Sequence, residues 1–161
     1  MSKPLKIKQY WSSIMTYIRV RNKWAYLAVI IDLCSRKIVG WALSSRLDMD
    51  LTMLAITKAV RSRKPKHGLS FHTDRSREYC VGRVRYHLSG IGVMQNRNRS
   101  GRCTDNAEVE SFLKTLKGDL IKDVFIGRLV QLEEQLRRYV DYFYNRSRLH
   151  GSMGYIYPIA F

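Results

Sequence analysis

The 161-residue chain has only three cysteines, Cys34, Cys80 and Cys103. They are scattered and odd in number, which argues against a disulfide framework or a structural zinc site and leaves packed thiols. No apolar run approaches the roughly 20 residues of a bilayer span; the longest, Trp24 to Ile31, is closed by Lys23 and Asp32. The first ten residues carry lysines but no apolar stretch of signal-peptide length, so a cytoplasmic chain with no membrane partner is expected. Repeats, low-complexity tracts and linkers are also missing, and a chain of this length buries one core rather than two. Residues 1–161 are therefore expected to form a single domain. Acidic residues are scarce, with 13 Asp and Glu against 29 Lys and Arg and a net charge of +16. A polyanion is the partner that such an excess suggests, although charge names the partner class and not the chemistry.

Tyr, Trp, Ile and Val dominate two segments, Tyr10 to Val20 and Trp24 to Leu33, on either side of Arg21, Asn22 and Lys23. This pattern reads as a β-hairpin, and Lys37 to Leu43 adds a third extended segment. From Asp48 to Arg61 the residues Leu51, Leu54, Ala55, Ile56 and Ala59 have near-helical spacing, with Ser45 or Asp48 available as a cap. Gly68 to Thr73 reads as a short buried strand that ends at Asp74, and Val81 to Leu88 as another helix. Gln95 to Cys103 is basic, lacks an apolar period and is expected to be a loop carrying Arg97, Arg99 and Arg102. Val109, Phe112, Leu113 and Leu116 mark a core-facing helix that begins near Asp105, and Leu129 to Tyr144 a further long helix. Strands, a crossover helix, another strand and more helices make a mixed α/β sheet, in which reactive side chains collect at strand ends.

Asp105 and Glu108 have the spacing of a capping box. Glu110 lies off the apolar stripe and has no such task, and Lys114 and Lys117 follow it at helical intervals. One face thus offers a carboxylate and two ammonium groups, which suits a metal ion beside a phosphate backbone. Spacing alone favours a solvated helix surface with a Glu110–Lys114 ion pair, and for Asp74 a strand-ending turn residue.

The runs around these acids decide between the alternatives. His72, Thr73, Asp74, Arg75 and Ser76, then Asp105, Asn106, Ala107, Glu108, Val109 and Glu110, resemble the integrase catalytic core of bacterial insertion-sequence transposases, related to retroviral integrases. Thirty-five residues separate Asp74 from Glu110, the interval that the family keeps between its second and third catalytic acids. The likeness extends through Tyr26 to Trp41, Tyr144 to Arg146, and Gly154 to Pro158. It implies a ribonuclease-H-like, mixed five-stranded sheet flanked by helices, and a DDE-type site in which Asp74 and Glu110 are catalytic metal ligands for magnesium or manganese. Two hard cations need several oxygen ligands, and their charge offsets the repulsion between neighbouring carboxylates. The implied reaction is DNA strand cleavage followed by strand transfer. The implied partners are DNA, both transposon ends and target, and further copies of this chain or full-length transposase. Arg75, Arg97, Arg99, Arg102, Asn106, Lys114 and Lys117 are the expected DNA contacts.

Against the family's first strand, Trp, two variable residues, Asp, a β-branched residue, Thr, Tyr, Ile, this chain reads Trp11, Ser12, Ser13, Ile14, Met15, Thr16, Tyr17, Ile18. Isoleucine suits a strand but cannot ligate a cation, so catalysis is expected to be impaired. Asp32, on the neighbouring strand, is expected to be structural rather than a substitute. Ser76 stands where the family usually has Gly, and Glu78 where it usually has Gln. The upstream segments with which relatives recognise element ends are also expected to be missing, leaving backbone-directed DNA binding. The competing expectation is a catalytically inactive DNA-binding module or transposition regulator, or a gene remnant without a selected role.

Overall fold

The computed structural model describes residues 10–47, 49–65, 68–73, 82–90, 92–97, 107–121 and 126–145. Three antiparallel strands come first: β1 (Tyr10–Val20), β2 (Lys23–Asp32) and β3 (Ile38–Ser44). Helix α1 (Met49–Arg63) crosses back to β4 (Ser70–Thr73), which runs parallel to β1. Helix α2 (Gly82–Gly90) leads to β5 (Met94–Arg97), parallel to β4, followed by α3 (Ala107–Leu116) and α4 (Leu129–Arg138). Both long C-terminal helices continue as π-helical turns, Lys117–Ile121 and Tyr139–Tyr144. The five strands form one sheet in the order β3-β2-β1-β4-β5.

A strand covered on both faces must be apolar throughout, and β2 shows this. Leu27, Val29 and Ile31 enter the core beneath α3 and α4, whereas Ala28 and Ile30 enter the core beneath α1 and α2. Phe112, Leu113 and Leu116 of α3, with Leu132 and Leu136 of α4, close the first core, as their helical spacing predicts. In α1, Leu51, Ala55, Ile56 and Ala59 are buried as expected, but Leu54 is 46% exposed and lies outside the stripe. The expected loop from Gln95 to Cys103 is corrected at its start: Gln95, Asn96 and Arg97 belong to β5. Met94 to Arg97 has no apolar alternation, so its extended form comes from the ladder with β4 rather than from its own sequence.

Asn145 fastens the end of the α4 arm to edge strand β3. Its Oδ1 accepts from the Ile38 backbone N–H at 2.9 Å, and its Nδ2 donates to the Ile38 carbonyl at 3.2 Å. The amide is buried and reproduces the two bonds that a neighbouring strand would make. Asn145→Ala would leave both Ile38 groups without that partner, at a cost of about 2 kcal/mol. A matching drop in the free energy of urea unfolding is the expected result.

Candidate functional site

Parallel pairing sets three strand positions at one level. Ser13 of β1 pairs with Thr73 of β4, and Thr73 pairs with Arg97 of β5. Strand β4 ends at Thr73, level with Ser13 and so one residue before position 14 of β1. Neighbouring strands are about 4.8 Å apart, and sites in such sheets form at the carboxyl ends of the strands. Position 14 is paired with Val29, whose side chain belongs to the core capped by α3.

Helix α3 lies on β1 and β2, held by Phe112, Leu113 and Leu116. Glu110 is the fourth residue of this helix, and its side chain is exposed. A carboxylate near a helix N-terminus is favoured by the exposed N–H groups and the dipole. Glu110 is in none of the ion pairs formed among the described residues, which join Arg63 to Asp32, Arg137 to Glu133 and Glu134, and Arg138 to Glu134. Lys114, one turn on, is likewise exposed. No Glu110–Lys114 ion pair is formed among the described residues. Lys117 departs from this arrangement: it opens the π-helical turn, and its Nζ lies 5.7 Å from the centroid of the Tyr17 ring on β1.

Of the other expected site residues, Asp74, Arg75, Arg99, Arg102 and Asn106 lie outside the described residues, and Arg97 is placed by its backbone at the end of β5. Glu110 supplies carboxylate oxygens of the kind that magnesium or manganese needs, and Ile14 supplies none. Ser13 has a buried hydroxyl with no hydrogen-bond partner. It pairs with Ile30, whose side chain belongs to the opposite core, so Ser13 adds no ligand on the α3 side. Of the two expected ligands only Glu110 is described, and no group of three or more His, Cys, Asp or Glu side chains that could hold a cation occurs among the described residues.

Asp32 is fully buried and engaged. Its Oδ1 accepts from the backbone N–H groups of Cys34 and Ser35 at 2.9 and 3.2 Å, and its Oδ2 from Arg63 Nη2 at 3.2 Å. The carboxylate shapes the β2–β3 turn and ties it to the end of α1. Removing Arg63 as Arg63→Ala would take an ion-pair partner from that buried carboxylate, at about 3 kcal/mol. Thermal and urea unfolding should both register the loss. Burial, followed by the Asp32 charge, pushes the Cys34 thiol above its ordinary value, with Arg36 opposing. Cys34 is thus a packed thiol, as expected from the sequence.

Two family models described as integrase core domain match the chain, one over residues 5–103 and the other over residues 91–158. The chain belongs to the integrase core domain family. Among integrase-core relatives, it is 37% identical to the transposase for insertion sequence element IS904 of Lactococcus lactis, over 94% of this chain and 60% of the relative. It is 36% identical to the transposase InsF for insertion sequence IS3A of Escherichia coli, over 95% of this chain and 53% of the relative. The chain therefore spans a little over half the length of these curated relatives. Solved integrase cores share its fold at low identity. The HTLV-2 integrase catalytic core domain in complex with magnesium, in its trimeric form, aligns with a TM-score of 0.70 at 13% identity, covering 94% of this chain and 95% of that one. The simian T-cell lymphotropic virus intasome gives 0.72 at 15%, covering 93% and 52%. These likenesses bear out the ribonuclease-H-like α/β fold and the mixed five-stranded sheet.

Some of the functional framework was beyond sequence reasoning. The Arg63–Asp32 pair and the Asn145 clamp join residues 31 and 107 positions apart. The residue types alone carry no sign of either partner.

Proposed function

We propose that this chain is a single integrase-type catalytic core acting on DNA, whose strand-cleaving and strand-transferring chemistry is impaired by Ile14. The observation that carries this reading is the level pairing of Ser13, Thr73 and Arg97 across β1, β4 and β5, in a sheet whose strands β1 and β2 carry the helix that presents Glu110. The transposase names of the curated relatives support the choice of DNA, as does the net charge of +16. Transposon ends and target DNA are the proposed substrates. Two DNA ends must be joined in one reaction, so the working form is a multimer of this chain or a complex with full-length transposase. No described helix is long and apolar enough to cross a membrane.

In this reading Asp74 and Glu110 hold magnesium or manganese. Bound there, the cations would lower the pKa of the attacking hydroxyl and neutralise charge on the leaving oxygen. The chain's own cationic groups, Arg75, Arg97, Arg99, Arg102, Lys114 and Lys117, with Asn106, are the proposed contacts that hold the phosphodiester in line for displacement. Water is the nucleophile in the cleavage step and the liberated 3′-hydroxyl in the joining step. Phosphorus exchanges one oxygen for another in each, without a covalent enzyme intermediate.

Calorimetric titration of manganese into the chain bound to DNA tests the ligand assignment. A saturable site is expected, weakened by more than about 10-fold in Glu110→Gln. The absence of any manganese site with DNA present would favour the second reading, a non-catalytic DNA-binding module or transposition regulator. Ile14 is the observation that keeps that second reading in play.

A further inference from the structure

The tip of the β1–β2 hairpin carries an aromatic and cationic surface that shares only Lys117 with the contacts proposed for the carboxylate site. Tyr17 and Trp24 are 58% and 44% exposed, although strand aromatics in a mostly buried sheet are ordinarily covered. Their rings meet edge to face at 4.9 Å between centroids. The Arg19 guanidinium lies 5.0 Å from the Trp24 ring centroid, and its Nε donates to the Arg21 carbonyl at 2.9 Å. Lys117 Nζ lies over Tyr17.

Trp24 also lines a cavity of about 430 Å³ between the hairpin turn and the start of α4. Arg21, Lys23 and Arg128 line it too, all exposed, and no carboxylate does among the described residues. Arg21 adopts a positive φ of 52° at the turn, and its backbone N–H is tied to the Ile126 carbonyl at 3.1 Å. Glycine or asparagine would meet that backbone requirement with less strain, so an arginine there points to a use for the charge.

We propose that this surface is a second DNA contact, a stacking platform for an unpaired, single-stranded segment. The rings offer π-faces to bases, which a duplex keeps inside its stack, and the surrounding cations offer charge to the backbone. Tyr17 lies three residues beyond Ile14 along β1, and Trp24 is level with Arg19, five residues beyond it. By strand alternation Tyr17, level with Tyr26, and Trp24 share the sheet face of the core beneath α1 and α2, whereas position 14, level with Val29, belongs to the α3 face. The platform is therefore a contact separate from the carboxylate site, on the other side of the sheet near the hairpin tip. The inference rests on DNA being the substrate, but not on metal binding or catalysis.

The test uses the whole chain in EDTA, with fluorescently labelled oligonucleotides of about 12 nucleotides. Oligothymidine and an abasic strand of equal charge are compared first, on the unaltered protein. Oligothymidine is expected to bind at least about 5-fold more tightly and to quench tryptophan emission. Tyr17→Ala with Trp24→Ala should remove that preference, while Trp24→Phe, which keeps a ring, should retain most of it. Binding of a blunt duplex should change less than about 2-fold in either variant, since counterion release carries it. Equal affinity for the two single strands in the unaltered protein would overturn the proposal while leaving the DNA reading intact. So would a preference that survives loss of both rings. Failure to bind any of the oligonucleotides would overturn both.

Discussion

Ile14→Asp is expected to raise DNA cleavage and joining by more than about 100-fold over the natural chain in manganese. Loss of a group that merely orients a ligand commonly costs about 10- to 100-fold in affinity or activity, so restoring a direct ligand should recover at least that much. The sheet is already built for the exchange. Position 14 pairs with Val29, and the residues just before positions 14 and 74, Ser13 and Thr73, pair across β1 and β4. No backbone rearrangement is therefore needed to set a carboxylate beside the end of β4.

The exchange has a cost in the absence of cations. Aspartate is a poor strand residue, and without a counter-charge it adds repulsion among carboxylates. The Ile14→Asp protein should therefore melt at a lower temperature than the natural chain in EDTA and recover in manganese. The natural chain should respond less to the metal. Ile14→Asn, similar in size but uncharged, is the control and should gain little activity. Glu110→Gln in the Ile14→Asp background should return the rate to that of the natural chain. A folded, DNA-binding Ile14→Asp protein with no gain in rate would remove the impaired-catalyst reading and leave the non-catalytic module.

How much of this arrangement was legible in the sequence depended on whether each residue's environment is local. The hairpin was readable because Tyr10 to Val20 and Trp24 to Leu33 have strong β-propensity on either side of Arg21, Asn22 and Lys23; the second strand proves to start one residue earlier and end one earlier, at Lys23–Asp32. Helix α3 was readable from the spacing of Phe112, Leu113 and Leu116, all of them buried. Strand β5 was not, because a four-residue polar segment takes its form from the ladder beside it. The exposure of Tyr17 and Trp24 was also illegible: alternation reports which residues share a face, but not where helix cover on that face ends. Spacing left Glu110 and Asp74 indistinguishable from a surface ion-pair residue and a turn residue. Only the family resemblance separated those readings, because it sets both acids within longer runs at a fixed interval.

The run from Ile38 to Trp41, part of that resemblance, owes its pattern to packing rather than to chemistry, and Gly40→Val should show it by a large loss of stability. A Cβ at position 40 would lie 2.5 Å from the Ala55 carbonyl oxygen, 2.8 Å from the Ala59 backbone nitrogen and 2.9 Å from Ala59 Cβ. Two of these three neighbours are backbone atoms of α1, which cannot rotate away as a side-chain tip can. Ala55 and Ala59 are themselves fully buried, so the helix approaches β3 through small residues on both sides. Any larger residue must lift α1 from the sheet and open the core formed by Leu51, Ile56 and Val39. The expected cost is about 3 kcal/mol or more, which for a chain of this length lowers the melting temperature by roughly 6–12 °C. Gly40→Ala adds the same Cβ without the two methyl groups and should account for much of that loss. If both variants melt within about 2 °C of the natural chain, the close contact between α1 and β3 is not what fixes the first layer of the fold.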